Sequence, residues 1–271
     1  MPATWVPKLL AAVICFVATI VHIRSVRRSP VPALDMAMAG FFFGGASSAA
    51  IGVCLELFYS DTQRGVAFDA MLVGVEFAAA GAWSAGFTLL AQALPTCGAQ
   101  YRITFVQLGA ASAAALFVTT LVLVFLATPT DRFDAAFLVA SYGGCGLLIG
   151  ASALAIQSQR HRLSCWLLIS GLLVTATGYT LDAAWLGPAC APGAKAPKPC
   201  PLPPTLTADG VYHTALMISY SLFHAGSRRL VHRHNEYSDS LHAPIINQSP
   251  DPASNAYAHR STRTDSTRLD I

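Results

Sequence analysis

Charge is scarce in this sequence. Asp, Glu, Lys and Arg make up 11% of its 271 residues, against about 25% in an ordinary soluble domain. A chain so poor in charge cannot cover a large water-facing surface, which excludes a soluble globular enzyme of this length. Lysine is rarer still, with only Lys8, Lys195 and Lys198. None lies mid-way along an apolar run, which excludes a retinal protein, whose Schiff base needs a lysine inside the bundle. Strand patterning is absent too, and the apolar runs are longer than the about 9–11 residues of a barrel strand. The net charge of +3 comes with no basic face carrying interleaved aromatics, so nothing points to nucleic acid.

What is abundant is apolar material: 54% of residues, with a mean hydropathy of +0.51. A membrane crossing needs roughly 20 mainly apolar residues. Such runs fall at approximately 5–23, 34–58, 66–90, 103–127, 135–156, 164–186 and 207–226. The pattern predicts an all-α fold, a polytopic bundle of seven transmembrane helices over residues 1–230 with membrane lipids as its partners. Residues 231–271, rich in Ser, Thr, Asn and His, read as a disordered cytosolic tail. Arg24, Arg27, Arg28, Arg102, Arg160, Arg162, Arg228, Arg229 and Arg233 fall on one side of this topology. Lys8, Arg64, Arg132, Lys195 and Lys198 fall on the other. The excess on the first side places the N-terminus outside or lumenal and the C-terminus in the cytosol.

Small residues four apart, Gly40 with Gly44 and Gly146 with Gly150, predict close helix contact within the bundle. Cys190 and Cys200 bracket a proline-rich stretch on the outer side, where a disulfide can form.

Ionisable groups inside a span are costly and usually face the bundle interior. With this topology Glu56, Asp69, Asp182, Asp209 and His213 fall in its outer part, and Glu76 lies two turns deeper than Asp69 on the same helix face. His22, Asp35 and His224 lie near the opposite ends of their spans. The outer group, with Ser47 and Ser48, can line a cavity. Glu56 and Asp182 can equally be solvated or capping residues, and Glu76 a protonated carboxyl bonded to a neighbouring helix. Asp209 and His213, four apart at the start of a helix, share one face. They offer two ligands to a metal ion, or else a helix cap and an interhelical hydrogen bond.

The stretch DGVYHTALMISYSLF (Asp209 to Phe223) resembles the seventh helix of the myomaker-like proteins. These belong with the alkaline ceramidases and adiponectin-receptor-like proteins among the seven-helix membrane hydrolases. PKLLAAVICFVATIVHIRSVRR, LDMAMAGFFFGGASSAA and GAWSAGFTLLAQAL are similar to the first three helices, so the likeness covers roughly residues 7–94 and 205–226. It implies a zinc ion held by three histidines, one on the second helix and two spaced H-x-x-x-H on the seventh, activating a water to cleave a lipid amide or ester. Here the second of the H-x-x-x-H pair matches His213 and the first matches Asp209. The second-helix histidine falls near Ser47, Ser48 or Ala49 and is absent, and Asp69 is similar in place to the acid of the third helix. What the resemblance then implies is a degenerate centre and a non-catalytic role in membrane organisation or cell-surface interaction. Two alternatives stay open. Asp209, His213 and Asp69 can form an altered site for a divalent ion (zinc, calcium or manganese) in a lipid hydrolase, or the acidic outer cavity can serve a receptor or transporter.

Overall fold

The structure, a computed structural model, describes residues 5–58, 64–94, 98–126, 131–190, 200–203 and 207–242. Among these residues every regular element is helical. Seven long helices follow one another: α1 (Trp5–Val26), α2 (Pro32–Leu57), α3 (Arg64–Ala93), α4 (Ala99–Leu126), α5 (Asp131–Gln157), α6 (Arg162–Leu181) and α7 (Ala208–His242). Helix α6 runs on through a π-helical turn, Asp182–Leu186, and one last turn, Gly187–Cys190. Proline sets several of the limits. Pro32 occupies the first turn of α2, where its missing N–H costs nothing. Pro95 follows α3 within two residues of its end, because the residue before a proline, here Leu94, is driven out of the helical region.

Each expected span is present as a helix, and most helices extend into the polar flanks. The largest extension is at α7, which continues through Val231 to His242, where sequence polarity predicts the tail to begin. The segment VHRHNEYSDSLH contains no Gly or Pro, so nothing in it interrupts propagation. Residues 243–271 of the expected tail lie outside the described residues. By contact the chain forms one unit over Met1–Asn235 and a second over Glu236–Ile271, of which only the backbone of 236–242 is described.

Six of the helices, α1 to α6, are long and apolar enough to cross a membrane. The seventh expected span is a helix but falls short on apolar composition, since α7 carries Asp209, His213, Ser219, His224 and Ser227 within its first 20 residues. The outward surface suits lipid. Phe16 is 59% exposed, and Leu10, Val118, Ile149, Trp166 and Leu173 are exposed on other faces, an apolar coat that water would not tolerate. This is a membrane protein.

Half of the apolar window of α2 is buried, against 17% for α4. Helix α2 is therefore central and α4 peripheral. The core joins Leu34, Met38, Phe41 and Phe42 of α2 to Ala82, Ala85 and Leu89 of α3 and Leu147 and Ala151 of α5. In lipid this association rests on tight packing rather than on a hydrophobic drive. Gly86 of α3 shows how tight: a β-carbon there would collide with the Gly146 backbone of α5, and one at Gly150 would strike Gly86 in return. Gly44 packs likewise against the Gly74–Ala78 backbone of α3. Both small-residue pairs seen in the sequence thus contribute to contacts inside this one chain.

Candidate functional site

Polar side chains gather at two ends of a three-helix subset, α1, α2 and α7. At the first end stands Lys8, in the opening turn of α1 and only 8% exposed. Its ammonium lies 2.8 Å from Asp209 Oδ2 of α7 and also pairs with Glu56 of α2. The local backbone explains the need. Glu56 sits in the last turn of α2, where the helix dipole disfavours a carboxylate, and Lys8 in the first turn of α1, where it disfavours a cation. Each offsets the other.

Asp209 does not cap α7. The Thr207 hydroxyl accepts from Gly210 N–H at 3.0 Å, which is the N-cap bond, and this leaves the Asp209 carboxylate to Lys8. His213 turns back along its own helix, its Nδ1 at 2.9 Å from the Asp209 carbonyl and 3.2 Å from Asp209 Oδ1. The interhelical bond expected of His213 is replaced by this intrahelical one, because the i, i+4 spacing already supplies an acceptor. Asp182, on the π turn, interacts electrostatically with Asp209 and His213. The first end therefore collects Lys8, Glu56, Asp182, Asp209 and His213.

Glu76 takes another neighbour. It is 1% exposed, and Thr120 of α4 stands beside it. The Thr120 hydroxyl, however, is held 2.7 Å from the Leu116 carbonyl, and among the described residues neither Glu76 carboxyl oxygen has a hydrogen-bond partner. Ser47 bonds the Phe43 carbonyl on its own helix at 2.9 Å, and the Ser48 backbone packs on Gly74. Asp69 is half-buried on α3 and has a partner of its own. Among the described residues no three of His, Cys, Asp and Glu are grouped so as to hold a metal ion. Cys190 and Cys200 are joined in a disulfide.

At the second end His22 of α1 has a carboxylate on one ring nitrogen and a hydroxyl on the other. Nδ1 is 2.6 Å from Asp35 Oδ1 of α2, and Nε2 is 3.0 Å from Ser227 Oγ of α7. All three residues have no exposed surface. Asp35 stands in the first turn of α2, where the dipole favours a carboxylate, and its second oxygen accepts from Ser25 Oγ at 3.1 Å. Arg228 donates to Ser25 at 3.0 Å. The His22 ring stacks on Phe42 at 5.6 Å and meets His224 edge-on at 5.7 Å.

Reading the sequence singled out the acids and His213 but not Lys8, Ser25 or Ser227. Lys8 carried a signal, being a lone lysine at the start of an apolar run. Ser25 and Ser227 carried none, because serines beside arginines read as ordinary span ends. Comparison with family models, curated proteins and solved structures finds no match for this chain.

Proposed function

We propose that this chain is a seven-crossing membrane bundle of the myomaker-like type in which an ion-pair clamp has replaced the metal centre. Its role is membrane organisation or cell-surface interaction, without metal-dependent hydrolysis. One observation carries the reading: the Lys8 ammonium is seated on Asp209, the residue matching the first of the two seventh-helix ligands, while His213, matching the second, bonds to Asp209. The tethered cation thus occupies the Asp209 carboxylate, while His213 donates through Nδ1 to its own helix and keeps only its Nε2 lone pair. The same ammonium pairs with Glu56 and Asp209, two of the acids that would otherwise line an open cavity for a soluble cation or amine. Helix α7 as the seventh crossing belongs to this proposal. Its polarity is accounted for by inward bonds, among them Ser219 Oγ to the Gly171 carbonyl at 2.7 Å and to Thr175 Oγ1 at 2.6 Å.

Elemental analysis of the detergent-purified protein for zinc, calcium and manganese, beside His213→Ala, tests it. No stoichiometric metal is expected in either sample. About one ion per chain, lost in His213→Ala, would replace this reading with that of a metal-dependent hydrolase.

A further inference from the structure

We propose that Ser227, His22 and Asp35 form a metal-independent acyl-transfer centre for ester lipids, at the opposite end of the three-helix subset from Lys8. The order of contacts is the one such chemistry requires: carboxylate to Nδ1, nucleophilic hydroxyl to Nε2. A carboxylate only accepts, so it holds the ring proton on Nδ1 and leaves the Nε2 lone pair to the serine. The hydroxyl has two acceptors in reach, His22 Nε2 and the His224 carbonyl, each at 3.0 Å.

A mere pin between α1 and α7 would not need Asp35. An interhelical hydrogen bond in a membrane protein contributes on average about 0.6 kcal/mol, whereas burying a carboxylate costs several kcal/mol before its partners offset it. The acid behind the imidazole ties α1 to α2 and also fixes the ring's tautomer, which a pin between α1 and α7 does not need. A second observation points to a ligand. Among the described residues His224 Nδ1 is buried without a hydrogen-bond partner, on the residue one turn before Ser227 and against the His22 ring. That open ring nitrogen is where the leaving oxygen or the hydrolytic water can bond. Arg228, tied to Ser25, brings a cation to this layer that can stabilise an oxyanion. The substrate class follows from position. This end carries Arg24, Arg27, Arg28 and Arg229, which suits anionic headgroups, and the ester carbonyls of a glycerophospholipid lie just beneath them.

In the reaction Ser227 Oγ bonds to the ester carbonyl carbon as its proton passes to His22 Nε2. The ester C–O bond then breaks, and the leaving alcohol takes that proton. Water attacks the acyl-serine, gives a proton through Nε2 back to Oγ, and releases the fatty acid. Ser227 has no exposed surface in the closed bundle, so turnover waits on α1 and α7 parting.

The test uses the full chain in phosphatidylglycerol–phosphatidylcholine vesicles, treated with a long-chain alkyl fluorophosphonate and mapped by mass spectrometry. One adduct at Ser227 is expected, absent in Ser227→Ala and formed at least tenfold more slowly in His22→Gln, with fatty acid released from phosphatidylglycerol by the untreated protein. A folded protein without an adduct at Ser227, or labelling as fast in folded His22→Gln, overturns the proposal; labelling without fatty-acid release overturns the lipid assignment. Should His22→Gln fail to fold, Ser227→Cys gives the answer through the pH profile of its alkylation. A midpoint at least one unit below the about 8.5 of a free thiol is expected, and an ordinary profile overturns the proposal. Metal content does not enter this result, so it stands or falls apart from the reading of the Lys8 end.

Discussion

His22 of α1 and Asp35 of α2 face each other across 2.6 Å with no solvent reaching either side chain. At the far end of the same helices Lys8 and Glu56 form the corresponding pair, and α7 contributes the third member each time, Ser227 to one end and Asp209 to the other. The two ends differ in burial, since the Asp209 side chain is 46% exposed. Burial decides how much each pair is worth.

Asp35→Ala leaves a fully buried imidazole without its acceptor. Removing one partner of a buried pair costs about 3–5 kcal/mol, and a large fall in melting temperature in detergent is expected. Asp35→Asn keeps an acceptor and should lose markedly less. If Asp35→Ala melts within a degree or two of the parent, the pair is not holding α1 to α2.

Lys8→Met should cost less. Both carboxylates that Lys8 pairs with, Glu56 and Asp209, remain partly exposed, so a coupling of about 1 kcal/mol or less between Lys8 and Asp209 is expected from a double-mutant cycle. Molar salt should shrink that coupling while leaving the His22–Asp35 coupling nearly unchanged, because screening acts on exposed charges. Equal salt sensitivity at both ends would contradict the difference in burial.

Gly86→Val drives a branched side chain into the Gly146 backbone of α5. Overpacking of this kind costs about 1–3 kcal/mol, and more where backbone rather than a side chain must move. Gly65→Ala at the start of α3 meets nothing within 4 Å and serves as the comparison, neutral or slightly stabilising by helix propensity. Thermal melts of the two variants beside the parent decide it.

Glu76→Met removes two buried oxygens that have no hydrogen-bond partner among the described residues. An unsatisfied buried polar group costs about 1–3 kcal/mol, so this substitution is expected to stabilise the protein, and Glu76→Gln to change it little. A strongly destabilised Glu76→Met would mean that the carboxyl is bonded in the membrane, to a water or a lipid.

Much of the fold was legible because membrane crossing leaves a coarse imprint. The about 20-residue length requirement and the rarity of charge mark each helix without reference to its neighbours. The limits of α7 were not legible in that way. Its apolar run ends near residue 226, but its backbone continues to His242, since helix propagation depends on the absence of breakers rather than on hydropathy.

The candidate sites divide along the same line. Asp209 and His213 could be paired from spacing alone, because a helix fixes i and i+4 on one face. Their use of those groups could not, because the Thr207 cap and the Lys8 ammonium arrive from outside that face. Glu76 and the Lys8 group look like one acidic cavity when counted by depth, yet Glu76 stands beside Thr120 on peripheral α4.

The sequence by itself determined that this is an all-helical membrane protein and that its polar residues concentrate on particular helices. Those properties are local, written in composition and in spacings of a few residues. Only the tertiary structure decided that Lys8 meets Asp209 and that Ser227 meets His22, contacts between residues about 200 positions apart. Which faces of α1, α2 and α7 close on one another depends on side-chain packing across all three helices at once, and no single stretch of sequence records it.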